Sequence, residues 1–215
     1  VLVVLLLPFI MFVSFTQASG EFSIEMLSSL LTSNPLILVL GVAGLSAIFS
    51  TINLVTPTSI SREGENKYHM LLYPVSMTTQ LYAKFLSGII ISSIAVLPII
   101  ILIIVGNTLY FELEIIWVVY SVLSALIMMI FINLFGLVVD VYHPKLVWEN
   151  EQAAVKQNIN FLFTFLAASA ITAFLAYSLF NLQSYTTWIF FGTHGALIVA
   201  IFGLHRIITS KSHDL

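Results

Sequence analysis

"SREGENKYHMLLYPVSMTTQLYAKF", residues 61–85, interrupts a chain that otherwise runs apolar for long stretches. Arg62, Glu63, Glu65, Lys67, His69 and Lys84 gather in it, around a Tyr73-Pro74-Val75-Ser76 break. The residues on either side, 35–55 and 81–105, are each long and apolar enough to cross a bilayer, which takes about 20 mostly apolar residues. The polar passage is therefore an elbow between two membrane helices. Composition supports that frame. Charged residues make up 8% and hydrophobic ones 60%, where a soluble domain carries roughly 25% charged residues. A water-soluble fold of 215 residues has too little interior to hide so much apolar surface. The expected fold class is all-α, a polytopic membrane protein.

Working outward from the elbow, six spans are expected, near residues 1–16, 35–55, 81–105, 115–139, 159–180 and 187–208. The apolar run after Lys156 is too long for one helix, and the polar stretch Asn181-Leu182-Gln183-Ser184-Tyr185-Thr186 divides it. All six spans form a single transmembrane domain. The chain opens at Val1, so it reads as a fragment of a longer protein or a processed piece, and the first span as a helix whose upstream flank is missing. A secretory signal is the rival reading of that segment, and it lacks a basic leading region. Absence of cysteine rules out disulfides and thiolate metal sites. The net charge of −3 argues against nucleic acid as a partner.

The cations alternate. Arg62, Lys67 and Lys84 precede or open span three, Lys145 and Lys156 lie between spans four and five, and Arg206 and Lys211 end span six or follow it. The other connections hold Glu21 and Glu25, then Glu112 and Glu114, then no charge. Because Lys and Arg in short loops stay cytoplasmic, the elbow, the 143–157 loop and the C-terminus are expected in the cytoplasm of a multi-pass cell-membrane protein. Tyr110, Trp117, Tyr185 and Trp188 fall at the opposite boundary, where interfacial aromatics belong.

Within the elbow, Thr58 to Ser61 reads as the point where the chain turns polar after span two. A short helix over residues 64–73, ending before Pro74, would group Tyr68, Leu71 and Leu72 on one face. Such a face can lie on a membrane or enter a protein groove. Ser76 reads as the N-cap of a new helix starting near Met77.

These residues resemble the segment after the second helix in permease subunits of ABC-2 type exporters, where Ser-Arg-Glu-Gly, a leucine-rich turn, Pro-Val-Ser and a Lys-bearing helix start follow one another. The later "DVYHPKLVWENEQAAVKQNIN", residues 140–160, is similar to the matching loop of large Gram-positive-type ABC exporter permeases. In that branch the permease has about twelve spans, which would make this chain the C-terminal half. The resemblance implies a coupling elbow gripped by a separate ABC ATPase subunit, with ATP and Mg held there and no cofactor in this chain. It also implies a second permease half or copy as a partner, and alternating access as the mechanism. Carried over by position, the coupling residues would be Arg62, Glu63, Gly64, Glu65, Tyr68, Leu71, Leu72, Pro74 and Val75. Tyr68 and the leucines would be anchors, with Arg62 and Glu63 at the rim. Lys145, Trp148 and Glu149 form a second candidate contact, with Trp148 as either a partner contact or a lipid anchor. No G-x-x-x-x-G-K-[ST] loop occurs in the chain, so a phosphate loop must come from the partner.

Inside the spans, Asn133 and His194 are the polar residues to account for. Interhelical hydrogen bonding is the expectation for Asn133 and a packed, hydrogen-bonded state for His194. Asp140 is expected to be solvated or paired with Lys145 or Lys156. Pro98 is expected to kink span three. Ala168, Thr172 and Ala176 in span five, and Gly192 and Ala196 in span six, read as stripes for close helix approach. The alternatives are an intramembrane hydrolase, with His194 and a serine as its only candidates since H-E-x-x-H is absent, and a non-catalytic channel or structural subunit.

Overall fold

The computed structural model describes residues 24–211, together with Ser14. Most of this range is helical, and the described residues contain no strand. Helix α1 covers Ile24–Ser33, α2 Leu36–Thr51, α3 Met77–Gly106, α4 Ile115–Tyr142, α5 Glu151–Lys156, α6 Ile159–Asn181 and α7 Thr186–Lys211. Five helical segments are long and apolar enough to cross a membrane: Leu36–Thr58, Met77–Phe111, Ile115–Tyr142, Gln152–Asn181 and Thr186–Lys211. These correspond to the expected spans two to six. The first expected span, residues 1–16, lies outside the described residues, Ser14 excepted.

Two helices form the hub. The most apolar stretches of the segments carrying α2 and α4 are 67% and 56% buried, against 22% and 17% for those carrying α6 and α7, so the last two present most of their surface outward. The hub has two cores. Leu40, Ala43 and Ala47 of α2 meet Met128 and Ile132 of α4, Ala168 and Leu175 of α6 and Phe190 and Leu197 of α7. Val42 and Phe49 meet Val96, Ile99 and Ile103 of α3 and Ala125 and Met129 of α4. Lipid tails are as apolar as these side chains, so tight fit and polar contacts hold such helices together. Gly44 supplies one close approach. A Cβ there would sit 2.8 Å from Thr172 Cγ2, and the Thr172 hydroxyl donates to the Gly44 carbonyl at 3.3 Å.

Several expectations require correction. Ala168 and Thr172 of the span-five stripe do pack against the hub, but Ala176 faces outward. Gly192 and Ala196 are exposed as well, with nothing near a Cβ at Gly192. Trp117 is half-buried and meets Tyr120 edge-on, whereas Tyr110, Tyr185 and Trp188 are exposed. Helix α3 continues through Pro98, as a kinked helix also does. The stretch before span two, read only as a connection, contains α1, whose Leu31 packs on Phe111 and Leu113.

Consecutive spans run in opposite directions, so the end of α2, the start of α3, the end of α4, the start of α6 and the end of α7 share one end of the bundle. Contacts tie that end together: Tyr82 hydrogen-bonds His205, and Lys211 lies over the Tyr142 ring. All seven basic residues of the chain lie at this end.

Candidate functional site

The chain between α2 and α3 is where local sequence and membrane physics collide. Helix α2 stops at Thr51, short of the expected residue 55. Asn53 explains part of this, because its Oδ1 accepts from its own chain at Val55 N, 2.9 Å away, and so competes with the helix. Pro57 does the rest: it lacks an N–H and sits in a one-turn 3-10 segment, Thr56–Thr58. Residues 56–61 are nevertheless buried, although the chain turns polar at Thr58 to Ser61. Irregular backbone at membrane depth is tolerated only inside protein, with its polar groups satisfied by side chains.

The structure supplies those side chains. Arg62 reaches back, Nη2 donating to Val55 O at 3.0 Å and Nε to Thr58 O at 3.3 Å. Lys84 Nζ donates to Ser59 O at 3.0 Å and pairs with Glu63. Asn53 Nδ2 donates to Gly88 O and, at 3.0 Å, to both Ser92 Oγ and Asn133 Oδ1. Asn133 Nδ2 donates in turn to Ser92 Oγ at 2.8 Å and to Met129 O at 2.9 Å. Asn133 is thus an interhelical hydrogen-bonding residue, joining α4 to α3 and to the broken end of α2. Gly88 is required for that approach: a Cβ there would lie 2.2 Å from Thr56 Cγ2.

Asp140 forms the second node. It is fully buried (0% exposed), near the end of α4. Its Oδ2 accepts from the backbone N–H groups of Ile60 and Ser61, and its Oδ1 from the Ser61 hydroxyl and from Asn160 Nδ2, the last at 2.8 Å. Four donors match the acceptor-only form of a carboxylate. The expectation of a solvated or lysine-paired Asp140 is overturned. Lys145 turns its Nζ to the carbonyls of Ala153 and Gln157, and Lys156 to Gln152, and no ion pair reaches Asp140 among the described residues. The amides that replace a cation come from the interrupted backbone, which needs an acceptor as much as the carboxylate needs donors.

Ser61 has every polar group engaged. Its N–H and hydroxyl bind Asp140, its Oγ accepts from Lys145 N at 2.8 Å, and its carbonyl accepts from Trp148 Nε1 at 2.9 Å. Asn160, at the start of α6, also donates to His143 O at 2.9 Å. One carboxylate and one serine therefore join the elbow, α4, the 143–157 loop and α6.

Beyond Ser61 the elbow is a 3-10 helix, Ser61–Leu72, broken at Gly64, where φ is +57° and ψ −136°. That backbone favours glycine, and a Cβ there would also lie 2.8 Å from Trp148 Cζ2. Gly64 is buried and not a surface contact. Trp148 has a third engagement besides the two expected: it is half-buried, with its ring against Gly64 and its N–H on Ser61 O. Arg62 and Glu63, placed by the resemblance at a partner rim, are engaged in bracing the elbow itself. Lys145 likewise caps the end of α5, while Glu149 is exposed.

The distal half is different. Tyr68 (65%), Leu71 (58%) and Leu72 (79%) are exposed, and so are Glu65, Tyr73, Pro74 and Val75. The apolar residue turned inward is Met70, which packs with Ile60, Leu81 and Leu137 and which the sequence reading missed. Ser76 caps α3 as expected, its Oγ accepting from Thr79 N at 3.3 Å. Far from the elbow, His194 is buried, with Nδ1 at 2.8 Å from Phe190 O, and no serine hydroxyl hydrogen-bonds it among the described residues. The described residues contain no group of His, Asp and Glu able to hold a metal ion.

No protein-family model, no curated protein and no solved structure matches this chain.

Proposed function

We propose that this chain is a membrane-spanning permease-type subunit of an ATP-driven exporter of the ABC-2 type, working by alternating access and powered by a separate ATPase subunit. The observation that carries the reading is the elbow: an apolar ridge of Tyr68, Leu71, Leu72, Tyr73 and Val75, exposed at the end of the bundle where every basic residue gathers. Basic residues at one end favour the cytoplasmic side of a cell membrane. That end would carry the ridge and the C-terminus, within reach of a cytoplasmic motor.

A ridge of aromatic and aliphatic side chains suits a protein groove, with the aromatic and leucine anchors carrying most of the binding. Glu65, beside the ridge and exposed, would lie at the rim. ATP and Mg would be held by the partner, since no phosphate-binding loop occurs in this chain. A second permease half or copy would complete the pathway, and the outward surfaces of α6 and α7 leave room for one.

Co-purification with an ABC ATPase subunit tests the reading. Leu71→Asp together with Leu72→Asp is expected to abolish association and transport while the protein still inserts and folds. Unchanged association and transport in that variant would remove the coupling role of the ridge.

A further inference from the structure

We propose that the Asp140–Ser61 node is a rigid pivot that makes the elbow and α4 move as one body, so that displacement of the elbow is delivered to the hub of the bundle. The geometry points there for three reasons. First, the node is densely bonded: Asp140 takes four hydrogen bonds and all of Ser61's polar groups are engaged, with Asn160 Oδ1 the node's one buried side-chain atom lacking a partner. Satisfied buried polar networks rigidify the elements they join, and breaking one member leaves the others unpaired at low dielectric. Second, the node sits on α4, which packs against α2, α3, α6 and α7, so anything fixed to α4 is fixed to the whole bundle. Third, the elbow is braced along its length. Arg62, Glu63 with Lys84 and Gly64 with Trp148 hold the base. In the distal half Gln80 Nε2 donates to Met70 O and Val75 O and the Met70 side chain packs inward, while the side chains from Leu71 to Val75 remain exposed. A flexible link would absorb a push, whereas this one transmits it.

Asp140 is in this role a positioning residue, acting through the backbone of Ile60 and Ser61. Its relevance to transport rests on the exporter reading, but the pivot itself can be measured without a motor. The chain has no cysteine, so paired spin labels can be placed without background. One label goes at His69→Cys, exposed on the elbow, and the other at Ile115→Cys, exposed at the far end of α4. Helix α4 alone spans about 40 Å, within the range of pulsed dipolar spectroscopy. A control pair, Ile115→Cys with Leu162→Cys, reports the bundle without the elbow.

In the otherwise unaltered protein the elbow pair is expected to give one narrow distance distribution. In Asp140→Ala it is expected to broaden about twofold or more, as a segment released to local motion does, while the control pair stays narrow. If Asp140→Ala does not fold, Ser61→Ala and Asn160→Ala, each removing part of the node, decide the matter and are expected to broaden the elbow pair to a lesser degree. An elbow distribution as narrow in these variants as in the parent, with the control pair unchanged, overturns the pivot. A broad distribution in the parent protein overturns it as well. A parent protein with a narrow elbow pair that associates with no ATPase subunit would count against the exporter reading alone.

Discussion

The two ends of the elbow segment Ser61–Leu72, broken at Gly64, obey opposite rules. At the root, Ser61 and Gly64 are buried and Ser61 is fully bonded; at the tip, Tyr68, Leu71 and Leu72 are exposed. Ser61 is 0% exposed and Leu72 79%. Hydrophobicity alone would invert that order. The inversion shows what each end is built against: the root faces interrupted backbone at membrane depth, which needs hydrogen-bonding partners. The tip faces outward and exposes the apolar side chains of the proposed docking ridge.

Breaking the root at its centre should have the largest effect. Asp140→Ala strips the acceptor from two backbone amides, a hydroxyl and a side-chain amide, and is expected to lower stability by about 3–5 kcal/mol. Thermal unfolding in detergent would read this as a large fall in Tm. Next is the Gly64→Val substitution. It forces a β-branched side chain into a positive-φ backbone and against Trp148, with an expected loss of roughly 2 kcal/mol. In a Trp117→Phe, Trp188→Phe background its signature is a red shift of Trp148 fluorescence as the ring is pushed off the elbow. Trp148→Phe removes only the N–H bond to Ser61 O while keeping an aromatic ring, and about 1 kcal/mol is expected. Lys84→Met breaks a partly exposed ion pair with Glu63, so less than about 1 kcal/mol is expected from that pair, shrinking further as salt rises. At the tip, Leu72→Asp should change stability by no more than about 0.5 kcal/mol, while removing partner association. A tip as sensitive in Tm as the root would erase the distinction.

Some of this architecture was readable from the residues, and the limits have physical causes. Five spans follow from apolar run length, and the start of α3 at Met77 follows from Ser76, because length and capping are local properties. Asn133 announces itself as an amide among apolar neighbours that must find a partner. Asp140 gives no such notice of who its partners are. Its donors are backbone N–H groups some 80 residues earlier in the chain, and no residue type signals an amide. Trp148 was left between two surface roles because its third role depends on Gly64, equally remote in sequence. The early end of α2 did have a signal in Asn53 and Pro57, outweighed by the apolar residues around them. The small-residue stripe of α7 misled because small side chains permit close approach without requiring it, and Gly192 and Ala196 are exposed among the described residues.

The contrast between inward- and outward-facing side chains of the elbow is tested most directly by cysteine labelling in a chain that has none of its own. Leu72→Cys and Met70→Cys variants would be exposed to a membrane-impermeant maleimide in intact cells and in inside-out vesicles. Leu72→Cys is expected to react rapidly in the vesicles and not in intact cells, and Met70→Cys to react slowly in both. Labelling of Leu72→Cys from outside intact cells, or equal rates at the two positions in vesicles, would contradict the account.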